Sequence, residues 1–130
     1  MKNYIVTTLL TAFSSFCVSA MAAELPSSND AGIRAALASG RPTVADFGAR
    51  TCIPCKKMAP ILEELNQELK GKANVTFTDV WKDNKLGGQY GVQMIPTQIF
   101  FDAKGKEVKR HMGFIDKADI LKELKAAGLK

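Results

Sequence analysis

The sequence predicts the α/β fold class, with a mixed four- to five-stranded sheet and helices on both of its faces. After residue 23, helical and extended patterns alternate for five elements, and strands separated by helices favour parallel pairing. Two further extended segments then follow each other across a tight turn, which indicates an antiparallel hairpin before a last helix. At 130 residues, the chain has room for one such domain.

The first predicted helix ends at Gly40, because glycine commonly terminates helices. Three adjacent polar residues can cap its start: Ser28, Asn29 or Asp30. Pro42 then introduces a short apolar strand at residues 43–47. Asp46 is unusual inside that strand, because charged side chains are rarely buried without a partner.

A longer helix is predicted from Cys52 to Gly71, where apolar residues recur at spacings of three and four. Pro60 lies inside this run and should kink the helix, because it lacks an N–H group and its ring crowds the carbonyl four residues back. The remaining elements are a strand, a short helix, a two-stranded hairpin and a final helix with a capping pair. Their predicted places are residues 75–80, 83–90, 95–101 with 107–112, and the segment that follows Asp116 and Asp119.

The first 23 residues have the pattern of a secretory signal peptide. Lys2 is followed by a largely apolar stretch without charge and then by small residues. Cleavage is expected after Ala20, Ala22 or Ala23, and the last two are favoured. An uncleaved anchor is the alternative, since residues 4–23 approach the length of about 20 that a membrane helix needs, but their Ser and Thr content argues against it. We therefore expect a signal peptide at residues 1–23, a folded domain at residues 24–130 and a periplasmic location.

Cleavage of the signal peptide would remove Cys17 and leave Cys52 and Cys55, three residues apart, in a compartment that permits disulfides. Closing so short a loop stabilises a fold little through chain entropy, so a redox-active pair explains these cysteines better. Disulfide exchange needs a thiolate nucleophile and a second thiol that resolves the mixed disulfide. At the start of a helix, free N–H groups lower the pKa of the first thiol, which makes Cys52 the attacker and Cys55 the resolving residue. Pro54 fits the first turn of this helix, because the backbone angle of proline is preset and an N–H group is not needed there.

Other uses of the cysteine pair lack the ligands that they need. A closed zinc site requires four ligands, and the Cys and His residues of the mature chain are only three: Cys52, Cys55 and His111. Attachment of c-type haem requires His after the second cysteine, where Lys56 stands. We expect no cofactor and no metal within one chain, and a metal centre would have to be shared between two chains.

The formal charge of +5 is spread along the chain, and the densest basic cluster is Lys104, Lys106, Lys109 and Arg110. We interpret this cluster as the solvated face of the hairpin. A nucleic-acid site would need a stronger basic stripe with interleaved aromatic residues, so no nucleic-acid partner is expected.

The chain resembles the thioredoxin family in several motifs that occur at matching spacings over about Arg41 to Lys125. The matching motifs are residues 44–47, 52–56, 59–62 and 95–97, together with Gly113. The resemblance implies a thioredoxin fold, a cis bond at Pro96 facing the disulfide, and a substrate chain that binds the backbone of Ile95 as an added strand. It also implies that Asp46 is a buried acid with a raised pKa that shuttles a proton for Cys55. The implied substrate-binding residues are Ile53, Pro54, Met94, Ile95, Pro96 and Gly113.

The sequence departs from the family pattern at three positions near the cysteine pair. Thr51 replaces a common Trp, Gly48 replaces a common aromatic residue, and Ile53 replaces a common Gly, which leaves the redox potential and the choice of partner open. Trp81 follows a strand and is interpreted as a packing residue.

Residues 100–102 and 113–116 are similar to the thioredoxin-like domain of the bacterial transmembrane thiol:disulfide reductase, which favours a reducing role. We expect a monomer that acts on protein thiols and disulfides, with a membrane-bound thiol:disulfide reductase as a candidate partner. The alternative function is a protein of the same fold that binds a partner, or a metal shared between chains, without redox turnover.

Overall fold

The computed structural model describes residues 23–130, and the predicted signal peptide lies outside them except for its last residue. The described chain forms α1 (Asp30–Leu37), β1 (Thr43–Gly48), α2 (Ile53–Glu68), β2 (Asn74–Asp79), α3 (Asn84–Gln89), β3 (Thr97–Phe101), β4 (Glu107–Met112) and α4 (Lys117–Ala126). The predicted order of helices and strands is confirmed. Boundaries differ by a residue or two in most places, as expected where helix and strand ends fray.

The described strands form one mixed four-stranded sheet in the order β2-β1-β3-β4. β1 pairs with β2 in parallel and with β3 antiparallel, and β3 pairs with β4 antiparallel. All six residues of the inner strand β1 are buried, which explains its nearly continuous apolar sequence. This topology confirms the predicted fold class.

Helices cover both faces of the sheet, as predicted. On one face, Val44 packs in a cluster with residues of α2 and α4, and on the other, Ala45 and Phe47 pack with residues of α1 and α3. Successive residues of a strand point to opposite faces. Asp46 therefore shares the face of Val44, the face that α2 covers, and this alternation directs the acid toward the cysteine pair.

Caps and turns agree with the sequence in most places. Asn29 caps α1 by accepting a hydrogen bond from the N–H of Gly32 at 2.9 Å, and Asp116 caps α4 by accepting one from the N–H of Asp119 at 2.9 Å. Asp119 thus contributes its backbone to the predicted capping pair. α2 continues through Pro60 as a single helix.

The basic cluster lies at the surface around the β3–β4 turn, with its three lysines exposed, which confirms that it is a solvated face. Within residues 23–130, no helix is both long and apolar enough to cross a membrane.

Candidate active site

The cysteine pair lies at the N-terminus of α2. Cys52 is the N-cap residue, Cys55 is in the first turn, and their sulfurs form a disulfide with the Cα atoms 5.2 Å apart. The N–H of Lys56 donates to the carbonyl of Cys52 at 2.9 Å, which closes the first helical turn. Pro54 is the second helical residue, a position at which an N–H group has no intrahelical acceptor, so proline loses nothing there. The remaining free N–H groups of this turn favour negative charge on a nearby sulfur.

The two cysteines differ little in exposure in the disulfide form. Cys52 is 9% exposed and Cys55 is 4% exposed, and the roles of attacker and resolving residue stay predictions. Both are covered because they pack in a small apolar cluster with Ala49 and Ile95. Ile95, in the loop before β3, therefore lies beside the cysteine pair.

Asp46 is a buried acid behind the cysteine pair, with a side chain that is 1% exposed. Its Oδ1 atom accepts a hydrogen bond from Nε2 of Gln98 at 2.8 Å, while Oδ2 has no hydrogen-bond partner in the described part of the chain. Burial raises the pKa of Asp46 from 3.8 to about 7, and the hydrogen bond from Gln98 opposes that rise. Because a group with a pKa near 7 exchanges protons readily at neutral pH, Asp46 can serve as an acid or a base.

The unpartnered oxygen of Asp46 and the sulfur of Cys55 border the same small space beside Gly48. A Cβ atom placed on Gly48 would lie 3.3 Å from Sγ of Cys55 and 3.4 Å from Oδ2 of Asp46. The structure thus brings together two of the predicted catalytic residues, although a strand end, a loop and a helical turn separate them along the chain. The arrangement suits proton exchange between the carboxyl group and the thiol of Cys55.

Gln98 is a site residue that sequence reasoning missed. It is fully buried and lies directly opposite Asp46 in the antiparallel register of β1 and β3. In the sequence, Gln98 is a polar amide directly before the apolar residues of β3, which was a signal that its side chain could be buried against a polar partner. Its partner could not be identified without the register of the two strands.

The loop before β3 lies against the cysteine pair. The Ile95–Pro96 peptide bond is cis, and Ile95 packs on the cluster that contains both cysteines. The N–H of Gly113 donates to the carbonyl of Pro96 at 2.7 Å, which places Gly113 beside this loop. Gly113 has a φ of 99°, which favours glycine. Of the other predicted binding residues, Ile53 is 74% exposed and Met94 is 49% exposed.

The interpretation of Trp81 as a packing residue is wrong, because its side chain is 63% exposed. Trp81 lines a surface groove of about 340 Å³ together with Met94 and Ile95, so the groove continues to the residue that packs on the cysteines. The order of the strands in the sequence could have placed Trp81 near the cysteine pair. β1 and β2 are parallel, so the segments that follow them, with the cysteine pair and Trp81, emerge at the same edge of the sheet.

Comparisons with known proteins identify the family. The family model described as Thioredoxin matches residues 26–126. The chain belongs to the thioredoxin family. It is 42% identical to a thioredoxin from Bacillus subtilis over 62% of this chain and 76% of that protein. A bifunctional thioredoxin reductase/thioredoxin from Mycobacterium leprae is 39% identical over 68% of this chain but only 19% of that protein. The structure of a mutant thioredoxin from Halobacterium salinarum has a TM-score of 0.70 and 26% identity, and the match covers 79% of this chain and 88% of that one.

Membership in the thioredoxin family makes this protein a thiol–disulfide oxidoreductase, and the Cys52–Cys55 disulfide is its candidate redox centre. In residues 23–130, no group of three or more His, Cys, Asp or Glu side chains is arranged to hold a metal ion.

Arg50 joins the segment before α1 of this thioredoxin-family domain to the region behind Cys55. Its guanidinium donates to the carbonyl of Leu25, forms an ion pair with Glu24 at 3.0 Å, and lies 4.2 Å above the ring of Phe77. A small pocket lined by Leu25, Arg50 and Phe77 reaches Cys55. The segment before α1 therefore covers the rear of the active site, a role that its sequence did not suggest.

Proposed function

We propose that this protein is an exported thiol–disulfide oxidoreductase that reduces disulfides in protein substrates through Cys52 and Cys55. One observation carries the proposal: the buried, unpartnered oxygen of Asp46 borders the same space as the sulfur of Cys55. A protein that merely holds a partner on this surface needs no buried acid behind a cysteine. Catalytic exchange is accelerated by one, because the resolving thiol must lose its proton before it attacks.

In the first step, the thiolate of Cys52 attacks one sulfur of a substrate disulfide. A bond forms between Cys52 and that sulfur, and the other substrate sulfur leaves as a thiolate that takes up a proton from water. The position of Cys52 at the N-cap of α2 stabilises its thiolate through the free N–H groups of the first turn.

In the second step, Asp46 accepts the proton of Cys55, and the Cys55 thiolate attacks Sγ of Cys52. The bond between Cys52 and the substrate breaks, the substrate leaves as its second thiolate, and the Cys52–Cys55 disulfide forms. Two electrons have then passed from the cysteine pair to the substrate. A dithiol donor must reduce the pair again, and a membrane-bound thiol:disulfide reductase is our candidate.

The substrate segment is proposed to bind in extended form along the loop of Ile95 and Pro96. The exposed side chains of Ile53 and Met94 and the backbone at Gly113 would border it. Trp81 extends this surface along the groove, and exposed apolar patches of this kind are typical of interaction sites. We therefore propose that the protein favours substrate cysteines flanked by apolar residues.

The composition of residues 1–23 supports export, with function in the periplasm as a monomer. Intact mass of the protein recovered from the periplasm tests this proposal. Mature chains that begin at Met21, Ala23 or Glu24 would support it. A full-length chain in the membrane fraction would favour the uncleaved anchor, and light scattering of the mature protein measures its oligomeric state.

Two measurements test the redox function. The first is the reduction of insulin disulfides by dithiothreitol, in which Cys52→Ser should abolish catalysis and Ser39→Ala, a change on the exposed end of α1, should not. The second is equilibration with glutathione, since proteins of this architecture range from about −270 mV for reductants to about −120 mV for strong oxidants. A value near the oxidising end would overturn the reducing role. Stoichiometric zinc or visible absorbance in the pure protein would support the metal-sharing alternative.

A further inference from the structure

The small pocket behind Cys55, here called the rear pocket, borders Cys55 but does not border Cys52. In the part of the chain that the structure describes, none of the residues proposed to bind substrate lines it. Its free space is about 10 Å³, which is enough for about one water molecule and for no thiol reagent. The rear pocket is therefore a second side of Cys55, separate from the proposed substrate surface.

Residues 24–28, here called the N-terminal segment, form one wall of the rear pocket through Glu24 and Leu25. The end of the segment is fixed on the edge strand β2, because the N–H of Ser28 donates to the carbonyl of Phe77 at 2.7 Å. The side chain of Leu25 packs, partly buried, against the core on the α2 face of the sheet. The start of the segment thus covers the pocket that reaches Cys55.

Arg50 supplies the polar contacts that hold the start of this segment among the described residues. Its guanidinium donates to the carbonyl of Leu25 and forms an ion pair with Glu24 at 3.0 Å. The planar fork of arginine suits such a double contact. Arg50 is itself held in place, because its guanidinium lies 4.2 Å above the ring of Phe77 and its backbone N–H donates to Oδ2 of Asp79 at 3.4 Å.

We propose that Arg50 is a positioning residue that decides which cysteine reacts, because it holds the N-terminal segment over Cys55 and keeps thiols and disulfides out of the rear pocket. The exposures of Cys52 and Cys55, 9% and 4%, differ too little to give that selectivity by themselves. The inference rests on the function proposed above. It adds a class of reagent against which the oxidised protein is protected: small thiols of the glutathione type.

The two possible attacks differ in the sulfur that leaves. In the productive reaction, a small thiolate attacks Sγ of Cys52, a bond forms between these two sulfurs, the Cys52–Cys55 bond breaks, and Cys55 leaves as a thiolate. With the N-terminal segment released, the same thiolate can attack Sγ of Cys55, and Cys52 leaves instead. In both cases the attacking sulfur is oxidised to a mixed disulfide and the leaving cysteine is reduced.

The first test measures access to Cys55 in a Cys52→Ser background, in which Cys55 is a free thiol. Iodoacetamide is the probe, because it is small and uncharged. Arg50→Met keeps an apolar side chain and removes the guanidinium. At a pH at which the thiol is fully ionised, we expect alkylation to be about tenfold faster or more, because a covered group reacts from the population in which its cover is open. Alkylation of Cys52 in a Cys55→Ser background should be unchanged.

Two further variants isolate the cause. Arg34→Met is the matched control, because it removes an exposed arginine from an ion pair within α1, outside the rear pocket, and it should leave both alkylation rates unchanged. Leu25→Ala trims the wall of the pocket without changing any charge, and it should also accelerate alkylation of Cys55.

The second test uses the oxidised protein with both cysteines. Glutathione is added, the reaction is stopped with acid, and peptide mass spectrometry locates the mixed disulfide. We expect glutathione on Cys52 in the wild type and a substantial share on Cys55 in Arg50→Met.

Cys55 alkylation at the wild-type rate in Arg50→Met would overturn the proposal, as would glutathione that stays on Cys52 alone. Equal acceleration at Cys52, or in Arg34→Met, would show general loosening and would also overturn it. If Arg50→Met does not fold, Leu25→Ala decides: faster alkylation of Cys55 supports the proposal, and the wild-type rate refutes it. A wild-type protein that catalyses no disulfide exchange would refute the proposed function instead, since the alkylation rates do not depend on turnover.

Discussion

Replacing Asp46 by Asn should make the oxidised protein more stable at high pH, although it removes the base that we propose for the second step of exchange. Burial raises the pKa of Asp46 from 3.8 to about 7, so the folded state binds this proton more tightly than the unfolded state does. The stability that the bound proton confers is fully present below pH 3.8 and is lost as the pH rises through about 7. Each pKa unit corresponds to about 1.4 kcal/mol, so ionising Asp46 in place costs the folded state about 4 kcal/mol in total.

The part of this effect that can be measured most cleanly is its dependence on pH. Between pH 5 and pH 9 the free energy of unfolding of the wild type should fall by about 3 kcal/mol relative to that of Asp46→Asn. The fixed offset between the proteins is smaller than the full cost, because the amide of Asn leaves a buried N–H group unpaired, at about 1–3 kcal/mol. The comparison across pH cancels that offset.

The assay is urea unfolding of the oxidised proteins at several pH values, followed by circular dichroism. Asp119→Asn is the control, because it makes the same chemical change at an exposed position in α4. A difference between wild type and Asp46→Asn that stays constant from pH 5 to pH 9 would refute the raised pKa of Asp46. Wild-type turnover in Asp46→Asn at neutral pH would in turn refute its role as a base.

Three further predictions concern the cysteines, the acid and the groove. Cys55→Ser should trap substrates on Cys52 as mixed disulfides that reducing electrophoresis releases; trapping by Cys52→Ser instead would reverse the assigned order of attack. Gln98→Leu should raise the pKa of Asp46, because it removes the hydrogen bond that lowers this pKa. The part of the pH–rate profile that reports Asp46 should then shift to higher pH, and a shift to lower pH would contradict this prediction. Trp81→Ala should raise KM for insulin several-fold while leaving kcat for a small aromatic disulfide unchanged, and an equal effect on both substrates would exclude a docking role.

The candidate site was predictable wherever its chemistry is local in sequence. Cys52, Pro54 and Cys55 lie within one helical turn, so their spacing and the start of α2 follow from neighbouring residues alone. The identification of Asp46 required the family resemblance, since its strand position shows only that an acid is buried. Gln98 was beyond prediction because it is 52 residues from Asp46, and strand register decides which residues meet.

The sequence by itself determined the order of the elements and the place of the redox pair. Caps, prolines and apolar periodicity act over a few residues, and they are sufficient to start and end helices and strands at nearly the observed positions. Only the tertiary structure decided that Gly48 lies beside both Asp46 and Cys55, and that Trp81 faces solvent. The physical reason is that packing across the sheet joins residues from distant segments, and a side chain's neighbours, space and exposure depend on all of those segments at once.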